Sequence, residues 1–241
     1  MKFHHDTRLV HGRPLRLRLR HSKRARRLHV QVSAREGVVV IIPRHATLAD
    51  VDEVFNSEAD WVARRVDHYD VWDGPRRRSW VTGSELTVLG RPLRIELMPL
   101  PAGRSRTRVE QVDGCLRFDL APSRLLHPRP EIERWLRRFA GRHLRERTAA
   151  LGEITGLVPR KVIVGERITR WGSCTSGGTI SYCYRLVMAP AEVVDSVVVH
   201  ELCHLAHGGH GPRFWNLLRE LYPDYDRCNV WLREHGHELE I

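Results

Sequence analysis

The run Val193-Val-Asp-Ser-Val-Val-Val-His200-Glu201-Leu-Cys-His204-Leu-Ala-His207-Gly-Gly-His210 constrains the fold more than any other stretch of the 241-residue chain. The valines favour a strand by propensity. Val194, Val197, Val198, Leu202 and Leu205 nevertheless form one helical stripe, and the length suits a buried helix. Apolar residues flank the histidines on both sides and hold them half-buried, where a polar group needs a partner. His200 and His204 stand one turn apart on one face, so both imidazoles can reach a single metal ion. Glu201 is offset by about one hundred degrees, which sets its carboxylate beside the ion instead of onto it. This His-Glu-x-x-His spacing is the one in which two histidines hold zinc and the glutamate acts as general base. Chance would produce it about 0.06 times in a chain of this composition, so it carries weight that a lone histidine pair does not.

A catalytic zinc needs a third protein ligand and an open position for water. His207 and His210 compete for that role. His207 shares the helical face but lies roughly 10 Å along the axis from His200, too far for three rings to converge on one ion. Gly208-Gly209 is expected to end the helix and let the chain double back, which favours His210. His207 is then a supporting or helix-end histidine. Cys203 reads as a small packed residue.

Charge is distributed unevenly. Lys and Arg exceed Asp and Glu by 11, and residues 1–31 supply nine of that excess. The basic arm, with Arg16, Arg18, Arg20, Lys23, Arg24, Arg26 and Arg27, suits a polyanion, nucleic acid first. Arg20, Arg24, Arg26 and Arg27 are the nucleic-acid-binding candidates. Five cysteines without a Cys-x-x-Cys pair argue against a disulfide scaffold. No apolar run reaches the ~18 residues of a membrane span, and the first residues carry no legible targeting signal, so no membrane partner and a cytoplasmic address are expected.

From Pro14 to Leu120 the pattern mostly alternates, as in Leu15–Leu19, Leu28–Val32, Glu85–Leu89 and Leu93–Leu97, which predicts strands with one wet face. Val38–Ile42 is a continuous apolar run of strand length. Asp113-Gly114 predicts a hairpin between residues 108–112 and 115–120. One helix is expected from Thr47 to about Tyr69. After His127-Pro-Arg-Pro130 a helix runs to Gly152–Gly156, followed by strands at 162–164 and 180–184 with a loop between them. No internal repeat is visible. The expected fold is α+β, with a β-rich N-terminal region over 1–126 and, over 127–241, a helical region built around the His-Glu-x-x-His zincin arrangement.

Arg170-Trp-Gly-Ser-Cys174, Ile180, Arg185-Leu-Val-Met-Ala-Pro190, the His200–His204 helix, His210 and Phe214-Trp215 together resemble the YgjP-like metallopeptidase domain family, which is related to the SprT-like and WLM zinc proteases. The likeness is dense over 167–232 and extends more thinly to Arg20–Arg27, Gly37–Pro43 and Trp61. It implies one zinc per chain held by His200, His204 and His210, with Glu201 as catalytic base. Cys183 and Gly211 depart from the family pattern, where an asparagine and a serine are usual.

The residues themselves support peptide hydrolysis by a metal-activated water. The strand 179–184 is expected to border the cleft and to pair with an extended polypeptide substrate, and Arg170 or Tyr182 to contact it as an oxyanion stabiliser. Three readings follow: a zinc peptidase, the same peptidase directed to nucleic-acid-associated proteins by its arm, or a nucleic-acid- or protein-binding module whose zinc is structural or catalytically silent.

Overall fold

Two-residue turns with both residues in the left-handed region set much of the strand pairing. His11-Gly12 (φ 49° and 75°), Leu89-Gly90 (51° and 74°) and Asp113-Gly114 (46° and 77°) share this form, which matches the twist of antiparallel strands and needs glycine second. In the computed structural model, which describes residues 4–33, 36–75, 79–167 and 170–241, they join β1 (His4–Val10) to β2 (Arg13–Ser22), β5 (Glu85–Val88) to β6 (Arg91–Pro99), and β7 (Arg108–Val112) to β8 (Cys115–Leu120). The hairpin expected at Asp113-Gly114 is therefore present.

Packing separates residues 1–78 from 79–239. In the first unit β3 (His29–Ser33) and β4 (Gly37–Pro43) complete a sheet of order β1-β2-β4-β3. On β2, buried Leu15, Leu17 and Leu19 alternate with arginines, whereas β4 lies between two neighbours and is buried along its whole length. Helices α1 (Leu48–Ser57) and α2 (Ala59–Tyr69) follow. The single helix expected here is broken at Glu58 (φ −109°, ψ 13°). Ser57 hydroxyl donates to the Val54 carbonyl at 3.0 Å, the local competition that weakens a helix interior. Thr47 caps α1 as expected, in a capping box with Asp50.

The second unit opens with the same plan, a sheet of order β5-β6-β8-β7 with antiparallel, parallel and antiparallel pairings. Leu17 pairs with Val38 and Arg94 with Cys115, 21 positions apart in both. Val10-His-Gly-Arg-Pro-Leu-Arg-Leu17 and Val88-Leu-Gly-Arg-Pro-Leu-Arg-Ile95 occupy equivalent places. The chain thus holds an internal repeat, which corrects the sequence reading; one short segment carries the identity and the rest shows only as strand order.

Helix α3 (Pro122–Leu125), α4 (Arg129–Thr155), a second sheet of β9 (Lys161–Gly165), β10 (Gly172–Cys174) and β11 (Thr179–Cys183), a 3-10 turn at Tyr184–Met188, and helices α5 (Ala191–Ala206), α6 (Pro212–Leu221) and α7 (Tyr225–His235) complete the chain. Leu86, Ile95, Leu116 and Phe118 share one core with α4 and α5 residues. The division at 126/127, a change in composition, therefore falls inside this unit. Each valine of α5 gives up about half a kcal/mol of helix propensity, but burying its side chain returns about 1.5–3 kcal/mol, so packing decides the conformation. Arg147 on α4 grips Asp195 on α5 with two hydrogen bonds of 2.6 and 2.7 Å, tying the two helices together. All five cysteines are free thiols. Among the described residues no helix is long and apolar enough to cross a membrane.

Candidate metal centre

Helix α5 places His200 and His204 one turn apart, and the connection to α6 returns His210 to them. One ring nitrogen from each lies within 4.8 Å of the others, and Nε2 of His200 and His210 are 3.2 Å apart. Nitrogens sharing a tetrahedral zinc at 2.0–2.1 Å would stand about 3.3 Å apart, the spacing the His200–His210 pair already has. His204 Nδ1 faces the His207 carbonyl at 3.1 Å. A carbonyl only accepts, so Nδ1 carries the hydrogen and Nε2 keeps its lone pair for an ion. The contribution of His207 is thus its backbone, and His207 already lies in extended conformation (φ −137°, ψ 110°) as the helix ends. This corrects the role expected for Gly208-Gly209: the helix stops before them, and neither adopts a positive φ.

Aromatic rings hold the imidazoles in place. His204 stacks on Phe214 (4.5 Å, 28°), His200 stacks on Tyr225 (5.5 Å, 20°), and His210 lies 5.6 Å from Trp215. Burial, aided by repulsion from the other two histidines, pushes His200 down to about 4, and burial also lowers His204. Both are neutral near pH 7, the form that ligates metal. The donor set and its convergence fit a divalent ion.

Glu201 is 5% exposed, and its burial pushes the carboxyl up to about 7 against the opposing pull of Arg170. Its Oε2 has no hydrogen-bond partner among the described residues. Strand β10 lies hard against it. A Cβ built on Gly172 would sit 2.5 Å from Glu201 Oε1, 2.7 Å from Cγ and 2.8 Å from Cδ. Any side chain at this position would displace the glutamate, a constraint the sequence reading missed because it took Trp171-Gly172-Ser173 as loop.

The strand order β10-β11-β9 also revises the expected substrate edge. β11 is paired on both sides, so it offers no free edge, whereas β10 is outermost. The bonds Cys183 N–H to Trp171 O and Thr175 N–H to Thr179 O set the phase of the ladder. Gly172 and Cys174 consequently turn their backbone N–H and C=O away from β11, toward the open side.

Of the two candidate oxyanion contacts, Arg170 is exposed and close enough to bias Glu201. Tyr182 is fully buried. Thr148 Oγ1 donates to Leu144 O at 2.6 Å and takes the Tyr182 hydroxyl at 3.3 Å, which gives that tyrosine a core role. Cys183 is buried with its thiol on the Arg167 carbonyl, and Gly211 begins α6 without a side-chain cap.

The basic residues of the first unit are not a free arm. Arg16, Arg18 and Arg20 lie on β2, where Arg18 donates to the Glu36 carbonyl at 2.7 Å and Arg20 to Gln31 Oε1 at 3.4 Å. Lys23, Arg24, Arg26 and Arg27 are exposed in the β2–β3 connection, and no carboxylate pairs with their side chains among the described residues.

A family model described as YgjP-like, metallopeptidase domain, matches residues 26–235. No curated protein matches the chain.

Proposed function

The chain belongs to the YgjP-like metallopeptidase family, and from that membership we propose that it is a zinc-dependent peptidase in which His200, His204 and His210 hold the ion and Glu201 is the general base. The convergence of three imidazole nitrogens near a buried carboxyl whose Oε2 has no hydrogen-bond partner among the described residues is the observation that supports this reading most. A bound zinc would lower the pKa of a water to about 7 and polarise the scissile carbonyl. Glu201 then takes a proton from the attacking water and returns one to the leaving nitrogen, so that the elements of water add across the C–N bond. The outward groups of Gly172 and Cys174 would pair with an extended polypeptide, and Arg170 would face the developing oxyanion.

A structural ion would take a fourth protein ligand, and the cluster among the described residues has three. This favours catalysis over the silent-module alternative. Nucleic-acid targeting remains a second proposal, supported by the exposed guanidinium groups of Arg24, Arg26 and Arg27. Metal analysis and peptide cleavage by wild type and Glu201→Gln test the main reading. The variant should keep one zinc and lose about 10²–10⁴-fold in rate. Undiminished cleavage by it would exclude Glu201 as the base.

A further inference from the structure

A cavity of about 190 Å³ opens directly beside the proposed centre, and Glu201 forms part of its wall. Val197, one turn before Glu201 on α5, faces it together with Trp171, which immediately precedes β10. Tyr225, Asn229 and Leu232 close it from α7, where their i, i+4, i+7 spacing puts them on one helical face. We propose that this cavity receives the side chain of a substrate residue flanking the scissile bond and selects an uncharged aliphatic or small aromatic one; the inference rests on the peptidase reading above.

Size, chemistry and position point the same way. An apolar cavity of about 150 Å³ accepts benzene, so this one has room for a leucine, methionine or phenylalanine side chain. Apart from the exposed Asn229, the α7 wall is an aromatic face and an aliphatic chain, and among the described residues lining the cavity none is a lysine or arginine that would neutralise an acidic guest. Aspartate or glutamate would be desolvated beside the Glu201 carboxyl. A lysine would pair with Glu201 and occupy the base. An apolar residue avoids both losses, and seating it next to Glu201 brings its neighbouring peptide bond to the group that moves the proton.

The residues that distinguish guests without touching the proposed ion are Leu232 and Asn229. Leu232→Trp should fill the cavity and shift preference to Gly or Ala at the selected position. Asn229→Arg supplies a cation at the rim and should shift it toward Asp and Glu. Both variants should keep wild-type zinc content.

The experiment profiles the zinc-loaded full chain on a peptide pool varied at both positions flanking each cleavage, with products read by mass spectrometry. Leu, Met and Phe should exceed Asp and Lys by about tenfold to a hundredfold at one position. In parallel, N-acetyl-leucinamide and N-acetyl-aspartamide are titrated against wild type and Leu232→Trp, with the Trp171 indole followed by NMR. The leucine compound should shift the Trp171 signal in wild type and not in the variant. A flat cleavage profile, or profiles unchanged in both variants, would overturn the cavity assignment while leaving the peptidase reading standing. Absence of any cleavage by zinc-loaded wild type would overturn the peptidase reading, and the NMR arm would still decide the cavity: equal shifts with both compounds, or none, reject it.

Discussion

Gly172→Ala isolates the contact between β10 and the glutamate, because Gly172 does not use a positive φ and alanine meets no backbone penalty there. The added methyl carbon would lie 2.7 Å from Glu201 Cγ and 2.8 Å from Cδ. Both are roughly 0.7–1 Å short of an ordinary carbon contact. Glu201 is the movable partner, so its carboxyl should be displaced by about 1 Å. A shift of that size at a reacting group costs on the order of 10²-fold in rate. Overpacking should also cost about 1–3 kcal/mol of stability, a fall of about 2–12 °C in Tm for a chain of this size. The assay pairs peptide cleavage with zinc stoichiometry and thermal unfolding. Expected are full zinc content, a kcat near one hundredth of wild type, and a lowered Tm. Glu201→Asp withdraws the carboxyl by about one methylene, so adding it to Gly172→Ala should recover most of the Tm, a coupling above ~0.5 kcal/mol in the double-mutant cycle. Wild-type rate and Tm in Gly172→Ala would refute the reasoning, as would additivity of the two substitutions.

His210→Ala should lose zinc while His207→Ala keeps it, since His207 serves through its carbonyl; elemental analysis showing the reverse would reassign the third ligand. Tyr182→Phe should lower stability by about 1 kcal/mol through the lost bond to Thr148 and leave cleavage nearly unchanged. A large rate loss at unchanged Tm would instead restore Tyr182 to the oxyanion role. Changing Arg24, Arg26 and Arg27 together to Ser should weaken binding of single- and double-stranded DNA and flatten its salt dependence, by titration at low and moderate ionic strength. Equal binding by wild type and variant would dispose of nucleic-acid targeting.

What the sequence made legible was local. His200, Glu201 and His204 lie within one helical turn and a third, and the Asp113-Gly114 turn needs only its two flanking strands, so spacing alone located them. His210 could be singled out because the histidine cluster closes within ten residues. What escaped depends on partners distant in the chain. β10 is three residues long and becomes a strand only by pairing with β11, while the edge status of either strand follows from where β9 inserts. Tyr225, Asn229 and Leu232 carry no metal-ligand or nucleophile signature and join the site because α7 packs on α5. The break at Glu58 was obscured because Val54, Phe55, Val62 and Val66 keep their apolar faces on both sides of it.

The repeated sheet plan bears on how the chain reaches its native state. In both copies the central parallel pair is the last contact that local zipping can supply: the hairpins β1–β2 and β5–β6 close across two residues, but β2 must find β4, and β6 must find β8, over 21 positions. These docking events are the slow, non-local steps, and strands awaiting them remain open to wrong partners. Val10–Leu17 and Val88–Ile95 are near-copies, so each is a chemical decoy for the other's mate. The mates differ sharply. β4 presents Val38-Val-Val-Ile-Ile42, apolar on both faces, whereas β8 alternates Leu116-Arg-Phe-Asp-Leu120. That asymmetry penalises a crossed pairing, which would bury Arg117, exposed on native β8, or strand the valines in water. Divergence of the central partner strands is thus a guard against the kinetic trap that the repeat creates.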